Sequence, residues 1–195
     1  MNEHNPPTPK TAGAVPNATP PHKLLTLARE YLVASTGNYI VHLVTGTTDP
    51  SAINVMCDET ESLAKAYGKV GYFSVLYRTA NLNMSKDLRA RIEAMVTRFS
   101  PIYQGAAIVY DGHGFAATAA RSTVTSVNLS TQSSHPTRVF SEVDSALMWL
   151  TGLAKTERTS KELRALVSTL YGKLSTPTRS ESRSNQKALR DALKR

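Results

Sequence analysis

Between Tyr39 and Leu150 the chain alternates short apolar runs with longer amphipathic ones, and few folds accept that order. The short runs are YIVHLVTG, YFSVLYRT, GAAIVYDG and TRVF. The longer ones are DPSAINVMCDETESLAKAYG, SKDLRARIEAMVTRF, FAATAARSTVTSV and SEVDSALMWL. Strand-length segments separated by helix-length ones specify an α/β layer structure, because each helix must bury its apolar stripe on a sheet. In the first run Tyr39, Val41 and Leu43 face one way, and Ile40, His42 and Val44 face the other. Apolar residues on both faces predict a strand covered on both sides.

Local punctuation predicts the boundaries. Leu24 to Val33 reads as a loosely alternating strand that ends at the turn signal Ser35-Thr36-Gly37-Asn38, so it forms an antiparallel hairpin with Tyr39–Thr45. Asp49 caps and Pro50 opens the first helix, whose stripe is Ile53, Met56, Cys57, Leu63, Ala64 and Tyr67, and Gly68 stops it. The second helix starts at Ser85, buries Leu88, Ile92, Met95, Val96 and Phe99, and ends at Pro101. The third carries Ala116, Ala117, Ala119 and Ala120, small residues that let it lie close to the sheet. Ser141-x-x-Asp144, near to a capping box, opens the fourth, which buries Val143, Ala146, Leu147 and Leu150, with Trp149 at its edge.

A length of 195 residues allows one domain with tails, and no cysteine framework is available because Cys57 stands alone. Residues 1–22 hold six prolines, which reads as a disordered arm. The α/β domain is expected over 23–153, an amphipathic helix over 154–176 and a basic flexible tail over 177–195. The net charge of +8 is concentrated at the end: residues 155–195 carry eleven Lys and Arg against four Asp and Glu. Within that end, Arg179, Arg183, Lys187, Arg190, Lys194 and Arg195 are candidate contacts for a polyanion, held by charge and without sequence readout. Tyr171 is the one aromatic residue there, so the stacking surface used for single-stranded nucleic acid is missing. The stripe Leu163, Leu166, Val167, Leu170, Tyr171 and Leu174 predicts a helix that docks on the domain, on a second copy or on a partner. No apolar run reaches the length of a membrane span and no signal segment is visible, so a cytoplasmic protein is expected.

Motifs that carry chemistry are sparse. Gly112-His113-Gly114-x-x-Ala117 has the form of a dinucleotide loop, but it does not follow the first strand of its unit, and Glu142 lies too far on to be the ribose acid. A tight Asp-Gly turn into a closely packed helix accounts for it. The histidines at 4, 22, 42, 113 and 135 have no metal-ligand spacing, and His42 reads as a core residue. There is no nucleophile elbow, Walker loop or H-E-x-x-H. Cys57 lies on a buried stripe, and Lys86, Arg89, Arg91 and Arg98, with Arg78, make a basic outer face on the second helix. No catalytic, metal or cofactor site is expected.

The order and spacing over about residues 24–153 resemble the SpoIIAA-like family of the STAS / CRAL-TRIO-like superfamily. The hairpin, the helix after Thr45-Gly46, the small-residue helix after Gly114-Phe115 and the ending Arg138-Val139-Phe140-x-x-x-x-x-Ala146-Leu147-x-Trp149-Leu150 carry the resemblance. It implies a mixed sheet of about five strands with about four helices, here followed by an extra C-terminal helix. It also implies non-enzymatic roles: signalling, scaffolding or the binding of apolar ligands. Ser85 occupies the place of the phosphorylatable residue of anti-anti-sigma factors, although this chain reads ANLNMSKDL there. The alternative role for Ser85 is a plain helix cap. The leading expectation is a protein-interaction module in bacterial regulation or scaffolding, with homo-oligomers through the 157–174 helix as one form. The second is an apolar small-molecule or lipid site between sheet and helices, which a pocket lined by Met56, Met84, Met95 and Tyr103 would favour. The third is nonspecific polyanion binding by the tail.

Overall fold

Among the described residues, six strands and five helices follow one another as the alternation demands. The computed structural model describes residues 21–153 and 158–175. The elements are β1 (Lys23–Leu27), β2 (Tyr31–Thr36), β3 (Tyr39–Val44), α1 (Pro50–Tyr67), β4 (Val70–Tyr77), α2 (Lys86–Phe99), β5 (Tyr103–Asp111), α3 (Gly114–Thr131), β6 (Thr137–Phe140), α4 (Val143–Gly152) and α5 (Ser160–Ser175). The strands form one sheet in chain order. β1, β2 and β3 are antiparallel, and β3 to β6 are parallel. The basic contacts expected at Arg179, Arg183, Lys187, Arg190, Lys194 and Arg195 lie outside the described residues, as do residues 1–20 of the proline-rich arm.

The sheet has six strands, not the five expected, because the Leu24–Val33 segment folds on itself. Its backbone turns at residues 28–30, where Ala28 N–H donates to the Tyr31 carbonyl, and β1 pairs back on β2. The turn is fixed from outside. The Glu30 carbonyl accepts from Thr45 N at 2.8 Å and Gly46 N at 3.2 Å, and its carboxylate accepts from Thr47 N at 2.8 Å. Gly46 must be glycine for this, since a Cβ there would lie 2.4 Å from the Glu30 carboxyl carbon. The β2–β3 hairpin closes as expected through Gly37 and Asn38, with Thr36 opposite Tyr39 and Gly37 at φ +51°.

All six residues of β2 and all six of β3 are buried, as two-sided apolar strands require. On one face Leu32, Val41, Leu43, Phe73, Val75 and Val109 pack under α4 and α5. On the other Val33, Ile40, Val44 and Val70 meet α1 and α2 through Ile53, Met56, Leu88 and Phe99. The helix stripes fall where the sequence places them, with three differences. Glu59 and Thr60 of α1 are buried although polar. Glu59 accepts from Ser35 Oγ at 2.6 Å and Lys23 Nζ at 2.7 Å, and Thr60 Oγ1 donates to the Met56 carbonyl, so both are satisfied. Tyr67, at the end of the predicted stripe, is exposed. The capping box at Ser141 does not form: the N-cap is Glu142 and its side chain makes no capping bond, because α4 starts one residue later than the pattern implies.

The segment read as a separate amphipathic helix completes the α4 side of the core. Leu163, Leu166, Val167, Leu170 and Leu174 are buried there, while Tyr171 stays half exposed and stacks on Tyr77 at 4.5 Å between ring centres. These five side chains are therefore committed to the chain's own sheet and are not free for a second copy. Burying them stabilises the fold by roughly 10 kcal/mol before entropy is counted. A Thr159-x-x-Glu162 capping box starts α5: Thr159 Oγ1 accepts from Glu162 N, and the Glu162 carboxylate accepts from Thr159 N at 2.8 Å. Those hydrogen bonds hold the Glu162 carboxyl below its ordinary pKa. Leu166→Ala is expected to cost about 2–5 kcal/mol in urea unfolding, with no change of mass in light scattering. A shift of mass without loss of stability would contradict the intramolecular docking.

Candidate functional site: a cavity between the sheet and three helices

Between the sheet and α1, α2 and α3 lies a cavity of about 170 Å³. Its origin is the distribution of side-chain sizes. Three registered rows of strand residues face it: Tyr72–Ala106–Thr137, then His42–Ser74–Ile108, then Val44–Leu76. Ser74 and Ala106 are small and central, and α3 presents Ala120 and Thr123 toward them. Small residues face small residues, so the layers do not meet. The helices add Ile53 and Met56 from α1, Leu88, Ile92, Met95 and Val96 from α2, and Val124 and Val127 from α3. Ile92 and Val96, on the predicted stripe of α2, retain some accessible surface, and both line this cavity.

One end of the cavity lies at the carboxyl ends of β3 and β4, the end of an α/β sheet where ligands generally sit. Thr48 comes from the β3–α1 loop, and Ala80, Asn81, Leu82 and Met84 from the segment between β4 and α2. Asn81 N–H donates to the Gly46 carbonyl at 2.8 Å, which ties the two loops together at this end. Ser85 then starts α2 as its N-cap, its Oγ accepting from Leu88 N at 3.1 Å. Ser85 is thus a solvent-facing cap next to this end and does not line the cavity.

One polar cluster interrupts the apolar wall. His42 Nδ1 lies 3.1 Å from the Tyr72 hydroxyl, and His42 Nε2 lies 3.5 Å from Thr48 Oγ1. The Tyr31 ring meets the imidazole edge-on at 6.5 Å. Burial lowers the His42 pKa to about 4, so the ring is neutral at pH 7. Burial likewise raises the Tyr72 hydroxyl to about 12, with a hydrogen bond from Ser74 opposing the rise. Tyr72 keeps accessible surface and presents it to the cavity. Two strands away in the same row, Thr137 Oγ1 is buried without a hydrogen-bond partner. No Asp, Glu, Lys or Arg lines the cavity among the described residues.

At the far end Tyr103 and His135 form a wall shared with a polar cleft that includes Lys69, Ser100, Gln104 and Ser134. Tyr103 is held by Thr60 at 3.3 Å and by edge contact with His135 at 5.1 Å. His135 Nδ1 lies 2.9 Å from Ser133 Oγ and 3.3 Å from Ser100 Oγ, and burial lowers its pKa. This network anchors the chain entering β6.

The remaining sequence candidates sit elsewhere. Gly114 starts α3 at φ +64° in open surroundings, and Ala117 is buried on that helix, so the glycine pattern marks a turn into a packed helix. The basic face of α2 is largely paired: Arg89 with Glu93 at 3.0 Å, Arg91 with Asp87 at 3.1 Å, and Arg98 with Glu61. Cys57 is half-buried at the edge of its stripe, and burial raises its thiol pKa. Of the residues named from the sequence for an apolar pocket, Met56, Met84, Met95 and Tyr103 all line the cavity. Tyr72, Ser74 and Ala106 were not singled out. The signal available for them is a tyrosine and a small residue on the same face of a strand otherwise built from large apolar side chains.

No family model, curated protein or solved structure matches this chain.

Two outcomes follow from this geometry. The folded pKa of His42 lies below its unfolded value, so the unfolded chain binds the proton first. Stability is full above pH 6.5 and falls as pH drops from there toward about 4, by on the order of 3 kcal/mol. His135 adds a loss of the same sign. Urea unfolding across that range checks this, and His42→Asn is expected to flatten most of the slope. At the start of α2, Ser85→Ala is expected to cost about 1 kcal/mol, while Ser85→Asp retains the cap; equal thermal stability of all three proteins would remove the capping role.

Proposed function

We propose that this protein is a non-catalytic binding module that holds a small apolar molecule between its sheet and α1, α2 and α3. The observation that carries the reading is the cavity itself, apolar in its walls and of about 170 Å³. An apolar cavity of roughly 150 Å³ stays dry and takes up benzene. Sites for drug-sized ligands run to about 300 Å³ and more, so this one suits a single ring or a short aliphatic chain better than a whole lipid. The reach of the cavity to the carboxyl ends of parallel strands supports the same reading. So does the resemblance to the SpoIIAA-like family, for which apolar-ligand binding is one implied role.

The interaction-module reading has weaker support. Phe115 and Leu129 on α3 and Met148 on α4 are well exposed, but the first two stand at opposite ends of their helix and the third in the other layer, and single exposed apolar residues are ordinary. Without a contiguous patch they do not define a docking surface.

Toluene titrated into the full chain, followed by amide chemical shifts, is expected to perturb residues of β4, β5, α2 and α3 saturably. Ala106→Leu fills the cavity from its floor. It is expected to weaken toluene binding at least tenfold while leaving thermal stability unchanged or higher. Absence of saturable shifts in the unaltered protein would defeat the reading.

A further inference from the structure

The sheet side of the cavity carries hydroxyl groups in one row, beside a buried imidazole. We propose that its occupant is a neutral molecule of about one ring, carrying a single hydroxyl-type group that hydrogen-bonds to the Tyr72–His42 pair. This rests on the ligand-binding reading above and specifies the ligand class.

Size comes first: about 170 Å³ accommodates one ring and little more. Charge comes second. With no Asp, Glu, Lys or Arg in the wall among the described residues, an ionised group entering the cavity would be desolvated without a counterion. Orientation comes third. Ala106 lies between Tyr72 and Thr137 in register, so its methyl leaves an open seat flanked by two hydroxyls. The Tyr72 hydroxyl has one proton and two lone pairs; His42 Nδ1 at 3.1 Å and Ser74 take up two of these three positions, which leaves one for a bond from the cavity side. The neutral imidazole can serve that hydroxyl as donor or acceptor, so the pair adapts to a ligand hydroxyl in either role. Thr137 Oγ1, buried and unpartnered across the seat, adds polarity to the same row. A wall of this kind discriminates between two ring compounds of equal shape when only one carries a hydroxyl.

The test compares toluene, phenol and benzoate at pH 7.5 on the full chain, read by amide shifts, with Tyr72→Phe alongside. Phenol is expected to bind about tenfold more tightly than its near-isostere toluene, and benzoate at least tenfold more weakly than toluene. Tyr72→Phe is expected to erase the advantage of phenol and leave toluene binding unchanged. If toluene binds and phenol binds no better, or if Tyr72→Phe keeps the phenol advantage, the proposal is overturned while the ligand-binding reading stands. If no compound binds, the underlying reading fails and takes the proposal with it. Should Tyr72→Phe not fold, the phenol-to-toluene ratio in the unaltered protein decides alone.

Discussion

Everything in this structure depends on burying a sheet on both of its faces. β2 and β3 carry large apolar side chains up and down, so neither face tolerates water, and helices are needed in two layers. Crossovers between parallel strands supply α1, α2 and α3 to one face, since right-handed connections that advance in one direction along a sheet place their helices on the same side. The other face is left to whatever follows β6. That is why α5 docks with its leucines against β2 and β3 alongside α4. Without α5 this face would expose part of the core.

The two layers then diverge in quality. The α4–α5 layer is packed with leucine, valine and aromatic rings, and its geometry is locally specified by the Thr159–Glu162 box and by the Arg164–Asp144 ion pair. The three-helix layer spans a wider area with smaller residues and leaves a hollow. A void of that size costs on the order of 4 kcal/mol relative to a filled core. The His42–Tyr72 pair adds the desolvation of polar groups, partly offset by their mutual hydrogen bond. Stability given up in two ways at one place is the pattern of a site, where local rules are broken for a use. The loops at one end of the cavity are tied by a backbone hydrogen bond from Asn81 to the Gly46 carbonyl.

Much of the fold was legible because it rests on short-range chemistry. Asp49-Pro50 and Gly68 bracket α1 as written, and the Asp49 carboxylate accepts from Ser51 N at 2.7 Å. Ser85 caps α2, and Gly37-Asn38 turns the hairpin. The misread elements are those whose fate is set at a distance. The turn that splits β1 from β2 has no strong local signal, and Glu30 holds it by bonding to residues fifteen or more positions away. Glu59 looks solvent-facing until Ser35 and Lys23 arrive from the hairpin. Four cavity residues could be named because methionine and tyrosine on helix and strand faces suggest an adaptable wall. The small residues that create the space are silent in one dimension, because a hollow is a property of two surfaces that fail to meet.

By itself the sequence determined the class of fold, the turn of the hairpin at Gly37-Asn38, the apolar face of each helix and the two-sided burial of the central strands. Those follow from periodicity, caps and turn residues, each of which acts within a few positions of the chain. Only the tertiary structure decided that the α5 stripe closes the chain's own core, that the sheet has a sixth strand, and that the three-helix layer encloses a hollow. It also decided that His42 is neutral and paired with Tyr72. These outcomes depend on volumes and dielectric surroundings assembled from segments far apart in sequence, and no local pattern encodes them.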